Sequence, residues 1–165
     1  MIKVLPARLE DAPELAALIN GVIAQGGTTA HEVPFTAERF AKYFLGGPDF
    51  ISCFRAVDEG GVALGFQTMG HDSHVPPDWG DIGTFAKVGG VQKGVGSALF
   101  AATSRFAREN NIPVINATIR ADNTGGLAYY SKMGFVDYAV ARGVPLKDGT
   151  PVDRISKKFV VTASA

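Results

Sequence analysis

The chain has 165 residues, the size of one ordinary domain, and a hydrophobic share of 46% is enough to bury a core. Sixteen basic and sixteen acidic residues cancel, so the surface offers no net attraction to nucleic acid or to an anionic membrane. No apolar run approaches the roughly 20 residues that a bilayer span requires.

The N-terminus meets charge at Arg8, Glu10 and Asp11, unlike a secretory signal. The lone cysteine, Cys53, sits in the apolar run 50–54 and reads as a small buried hydrophobe. The expectation is a single domain over residues 1–165 in a reduced, cytoplasmic compartment.

Residues 2–5 read as a short strand. Asp11 is placed to cap a helix, with Pro13 near its first turn and Glu14 completing a capping-box pattern. Leu15, Leu18, Ile19 and Val22 supply the apolar stripe, and Gly26 and Gly27 end the helix. After the polar loop 28–34, Thr36 caps a second helix that runs to about Leu45. Phe35 and Phe40 flank that cap at the spacing of a hydrophobic staple. Strands over 50–57 and 62–69, joined by the turn 58–61, form a hairpin. The polar loop 71–80 leads to a strand over 81–88.

A helix opens at Gly94 and runs to about Asn110, with Val95, Leu99, Ala102 and Phe106 on one face. A strand over 112–119 follows, then a helix from Asn123 to Gly134. Strands over 135–141 and 154–161, joined by the turn-rich stretch 143–151, end the series. The order β-α-α-β-β-β-α-β-α-β-β predicts an α/β (α+β) fold. Its mixed sheet has about seven strands, helices on both faces and strand-helix-strand crossovers in the second half.

Two glycine-marked segments carry the chemistry. The first is Gln92, Lys93, Gly94, Val95, Gly96 and Ser97, after a strand and at the head of a helix. A helix N-terminus has unpaired amides and a partial positive charge, so a diphosphate fits there, and glycine lets the backbone come close. No P-loop string G-x-x-x-x-G-K-[ST] is present. The glycines also lie too late in the chain, without the third glycine, for a dinucleotide fold. The second segment runs from Asn123 through Gly125, Gly126, Ala128, Tyr129 and Tyr130 to Gly134 and Phe135.

Together these segments resemble the GNAT family of N-acetyltransferases over about residues 2–161. The early loop, Gly27 through Pro34, is similar to that of the phosphinothricin and amino-acid-type branch. Gly94 and Gly96 match the small positions of the family's [Q/R]-x-x-G-x-[G/A] motif. Val91 stands where the family has Gln or Arg, and Gln92 stands one place late. The second motif matches at Asn123, Ala128, Tyr130, Gly134 and Phe135.

The resemblance implies a sheet splayed between its fourth and fifth strands with acetyl-CoA in the gap. It implies that residues 92–97 hold the diphosphate, and that backbone groups of Thr84, Phe85 and Ala86, with Asn123, hold the pantetheine arm. It also implies a homodimer.

Acetyl transfer to an amine needs a neutral nucleophile, a polarised carbonyl and a thiolate that can leave. Tyr130 is the expected general acid, and Tyr129, about 100° around the helix, is expected to be structural. The base is less constrained, because Thr118 occupies the family's usual glutamate position and cannot serve. Glu32 is the first choice, with His31, His71, His74 and Asp81 as other candidates. His31, Glu32 and His74 are expected at the acceptor.

An H-x-x-H spacing at His71 and His74 on a proline-rich loop is poor for a metal, and the chemistry needs none. Trp79 is expected to cover apolar surface at the sheet edge or at a subunit contact. The expected function is acetyl-CoA-dependent acetylation of a small amine or amino-acid-like acceptor. A protein or peptide acceptor, or an idle acyl-CoA-binding regulatory module, is the alternative.

Overall fold

The computed structural model describes residues 1–90 and 93–162. In chain order it has strand β1 (Lys3–Pro6), a 3₁₀ turn (Leu9–Asp11), helices α1 (Ala12–Gln25) and α2 (Ala37–Phe44), and strands β2 (Phe50–Val57), β3 (Ala63–Gly70) and β4 (Gly80–Ala86). Helix α3 (Val95–Glu109), strand β5 (Val114–Arg120), helix α4 (Thr124–Met133) and strands β6 (Val136–Pro145) and β7 (Pro151–Val160) follow. The seven strands form one sheet in the order β1-β2-β3-β4-β5-β7-β6. Every neighbouring pair is antiparallel except β4 and β5.

That parallel pair is the organising feature. It is held only by Gly80 opposite Ile115 and Asp81 opposite Asn116. Beyond Asp81, β4 follows β3 in continuous register, while β5 follows β7. The sheet therefore opens between its fourth and fifth strands, as the resemblance implied.

Each face carries its own core. On one side α1 and α2 bury Leu15, Ile19, Phe40 and Phe44 against Phe66 and Phe85. On the other, α3 and α4 bury Phe100, Tyr130 and Phe135 with Ile115 and Ile119. Thr36 caps α2 by accepting a bond from the Arg39 amide, and the Phe35 and Phe40 rings lie 6.1 Å apart, the staple predicted from their spacing.

Two local expectations are corrected. Asp11 precedes α1 but does not cap it with its side chain. Its carboxylate instead accepts from the Arg8 amide at 2.7 Å and pairs with Arg55 at 3.1 Å. Glu14 likewise reaches across the fold to the Ala63 amide at 3.0 Å rather than back to the helix start.

The stretch 143–151, read as turn-rich because of its glycines and prolines, is turn only over 146–150: β6 runs on to Pro145 and β7 starts at Pro151. Gly143 (φ +62°) absorbs a register shift between Ala141 and Val144, and the turn itself is closed by the Leu146 amide on the Thr150 carbonyl. No helix among the described residues is long and apolar enough to cross a membrane.

Phe40 is fully buried, with ring neighbours Phe44 at 5.0 Å and Phe66 at 5.2 Å. Phe40→Ala is expected to lower unfolding free energy by about 3–5 kcal/mol in a denaturant titration. A loss below about 1 kcal/mol would contradict this account of the core.

Candidate active site

Alternate residues of an antiparallel strand turn their amides and carbonyls toward opposite neighbours. The Lys87 amide bonds the Leu64 carbonyl on the β3 side. Phe85 and Gly83 share that parity and face β3. Thr84 and Ala86 turn their backbone groups toward the opening beside β5. Of the three residues expected to hold the pantetheine arm, Thr84 and Ala86 therefore face the opening beside β5. Phe85 is not: its backbone faces β3 and its ring stacks on Phe66 at 4.9 Å in the core.

The side chain of Thr84 points to the α4 face. Its hydroxyl is 2.8 Å from the Tyr130 phenol. Tyr130 is fixed from behind by the end of its own helix. Gly134 takes a left-handed conformation (φ +105°), its amide bonds the Ser131 carbonyl, and the Phe135 amide bonds the Tyr130 carbonyl. That is a Schellman stop, and it sets the Phe135 ring 5.1 Å from the Tyr130 ring. The closing Gly-Phe of the sequence motif is thus the device that positions the tyrosine. Burial pushes the Tyr130 phenol well above its ordinary pKa, partly offset by the Thr84 bond.

The turn before α3 has Gly94 in a left-handed conformation (φ +93°), which a side chain would strain. Gly96 is also required by packing. A Cβ there would lie 2.5 Å from the Tyr129 ring. The Tyr129 phenol donates to the Gly96 carbonyl at 2.7 Å and accepts from the Gln67 side-chain amide at 3.1 Å, and that amide also donates to Thr84 at 2.9 Å. A continuous set of bonds thus ties the α3 turn to Thr84 and Tyr130.

Tyr129 is structural, as expected, and Gln67 is a buried hub that sequence reasoning missed. Its one signal was a lone amide side chain inside an apolar strand. Val95 is buried under the turn, while Lys93 and Ser97 are exposed beside it. Gln92 lies outside the described residues.

On the α1–α2 side, a cleft of about 1020 Å³ runs from the opened strands to the 28–31 loop. Tyr130, Thr84, Asp81, His31, Arg120 and Arg154 are among its lining residues. His31 lies in an aromatic box with Phe35, Tyr43 and Phe44 at 5.4–5.7 Å, and burial followed by the Arg39 charge lowers its pKa.

Asp81 is the half-buried acid of the cleft. It accepts from Asn116 at 2.7 Å where β4 leaves β5, and desolvation raises its pKa to about 6, with Asp72 adding to the rise. Thr118 is taken up by bonds with Asn116 and Ser156.

Other candidates are placed differently. Glu32 does not line the cleft, because its carboxylate accepts the Lys147 amide at 2.8 Å and joins the first loop to the β6–β7 turn. His74 faces solvent with its ring nitrogen 3.0 Å from Asp72. Asn123 spends its side chain on the fold: its oxygen caps α4 at the Gly126 amide, and its nitrogen donates to the Thr28 carbonyl at 2.9 Å, although it still borders the cleft. Trp79 packs edge-on against Tyr138 at 5.8 Å. Among the described residues no group of three or more His, Cys, Asp or Glu side chains is arranged to hold a metal.

The fold has close counterparts. An N-acetyltransferase from Staphylococcus aureus superposes with a TM-score of 0.86 at 19% identity over 98% of this chain and 99% of that one. A GNAT-superfamily phosphinothricin acetyltransferase from Sinorhizobium meliloti, solved with acetyl-CoA, superposes with a TM-score of 0.83 at 16% identity over 97% and 88%. In sequence, YwnH of Bacillus subtilis, named as a candidate phosphinothricin acetyltransferase, is 28% identical over 150 residues, or 89% of this chain and 91% of that protein. The profile of the acetyltransferase (GNAT) family matches residues 28–135, from the loop after α1 to the Gly134–Phe135 stop. The chain belongs to that family.

Proposed function

We propose that this acetyltransferase moves an acetyl group from acetyl-CoA to the primary amine of a small or amino-acid-like acceptor, by direct attack with both substrates bound. The observation that carries the reading is the open edge of β4, where the backbone groups of Thr84 and Ala86 meet a phenol held by Thr84. A thioester lying along that edge would have an amide donor for its carbonyl, in the manner of an oxyanion hole. The first turn of α3 would receive the diphosphate. The acetyl-CoA bound in the Sinorhizobium meliloti relative supports the same carrier here.

In this reading Asp81 takes a proton from the acceptor ammonium, directly or through one water. The amine nitrogen bonds to the carbonyl carbon, the carbon–sulfur bond breaks and Tyr130 gives its proton to the departing sulfur; the resulting phenolate recovers the proton that the acetylated nitrogen sheds, and Asp81 releases its own proton to solvent. The burial that keeps the phenol protonated also makes a thiolate leaving into the same dry space more basic, so the transfer is not uphill by the difference seen in water. A relay through Cys53 is disfavoured, because its thiol is buried in the α1–α2 core and pushed up to about 12.

The cleft volume is at the top of the range for small-molecule sites. The bond from the Lys147 amide to Glu32 bridges the first loop and the last hairpin, the two walls between which an extended peptide would have to lie. That bridge favours a small acceptor over a protein one. A homodimer remains part of the proposal on family resemblance.

Tyr130→Phe is expected to lower kcat at least about tenfold while leaving the KM for acetyl-CoA nearly unchanged; full activity would remove the phenol from the mechanism. For Asp81, kcat/KM is expected to rise through an inflection near pH 6, and Asp81→Asn to remove that inflection and about 99% of the activity. An inflection that survives in Asp81→Asn would assign the base elsewhere.

The stability effect has the opposite sign. An acid whose pKa is raised in the fold stabilises it below the unfolded value near 3.8, and that contribution is lost as pH climbs through about 6. Asp81→Asn is therefore expected to melt no lower than the native protein at pH 8, with any advantage shrinking toward pH 4.

A further inference from the structure

Arg120 and Arg154 stand opposite each other on β5 and β7, and both line the cleft. Like charges directly opposite on an antiparallel pair destabilise it, so each cation needs an anion. Arg120 has its own. It holds Asp122 through two bonds, Nε at 2.9 Å and Nη2 at 2.7 Å, and its remaining arm donates to the Thr29 carbonyl at 3.1 Å.

Arg154 differs. Its Nε is buried, yet it has no hydrogen-bond partner. The acids that act on it are committed elsewhere, Asp122 to Arg120 and Glu32 to the Lys147 amide. Burial and the neighbouring Arg120 lower the pKa of its guanidinium, which stays charged, and an added anion would offset both effects. A planar fork of N–H donors on a cleft wall matches a carboxylate.

The spacing limits what that carboxylate belongs to. Asp81 pairs with Asn116, and Arg154 with Arg120, four residues further along β5. That separation is about 13 Å of strand. An arginine side chain and a short acceptor together can bridge a span of that order.

We propose that Arg154 binds the carboxylate of an acceptor whose amine faces Asp81, so that the substrate class is an α-amino acid or a near analogue rather than a plain amine. This rests on the N-acetyltransferase reading above and adds the residue that selects among acceptors. Arg154 is a binding and specificity residue; it does not touch the reacting atoms.

The test is thiol release from acetyl-CoA with the common L-amino acids and phosphinothricin, each beside its carboxamide, using the native protein, Arg154→Gln and Arg154→Lys. The native protein is expected to use acids at least about tenfold better than the matching amides in kcat/KM, a difference of about 1.4 kcal/mol. Arg154→Gln is expected to raise KM for acids by a similar factor, leave amides and acetyl-CoA within about twofold, and be partly rescued by lysine.

Equal use of acids and amides by the native protein would overturn the proposal. So would a parallel loss of both in Arg154→Gln, or a rise in the acetyl-CoA KM instead, which would assign the cation to a carrier phosphate. If Arg154→Gln does not fold by its melting curve, the native ratio and Arg154→Lys decide. Thiol release with amines but no preference for acids would sink only the role of Arg154. No release with any amine would sink the acetyltransfer reading itself.

Discussion

The whole arrangement depends on the early parting of β4 and β5. Each strand has a stronger allegiance elsewhere. β4 is zipped to β3 from Asp81 to Ala86, with Phe85 stacked on Phe66 behind it, and β5 is zipped to β7 from Val114 to Arg120. With only Gly80 and Asp81 engaged across the seam, the twist of each half-sheet carries the strands apart. A parting seam exposes backbone donors and acceptors that a closed sheet would consume. It also creates the cleft, and it leaves a carboxylate, Asp81, partly buried at the fork.

The position of the phenol follows from the same geometry by a different route. Tyr130 leaves α4 within its last turn, where the left-handed Gly134 reverses the chain and brings Phe135 back onto the ring. Thr84, on the open edge of β4, meets the phenol from the front. Through Gln67 and Tyr129 the same bonds reach the Gly96 carbonyl in the first turn of α3. The diphosphate turn proposed here and the proton donor proposed here are therefore parts of one hydrogen-bonded unit, although one opens α3 and the other lies in α4.

Much of this was legible in the chain because it is local. The Thr36 cap, the Phe35–Phe40 staple and the Gly134 stop each depend on residues a few positions apart, and the strand and helix order followed from periodicity and breakers. What depends on distant partners was not legible. Asp11 and Glu14 have a capping spacing, but Arg55 and the Ala63 amide claim their carboxylates. Glu32 has the charge of a base, but the Lys147 amide, 115 residues away, engages it.

His74 looked like a site residue because it is a histidine in a loop, and only its exposed placement against Asp72 says otherwise. Asp81 was one of five base candidates in sequence. Its partial burial at the fork of the sheet, beside Asn116, is what distinguishes it. The packing constraint on Gly96 was not legible either, since the Tyr129 ring that excludes a Cβ is 33 residues away.

The central claim is that the open edge of β4 is completed by the thioester carrier. Residue-resolved amide hydrogen exchange with and without saturating coenzyme A tests it most directly. The account predicts that the amides of Thr84 and Ala86 exchange more slowly when the carrier is present, while that of Phe85, already turned to β3, changes little. Unchanged exchange at Thr84 and Ala86 with the carrier demonstrably bound, or protection that ignores this alternation, would contradict it.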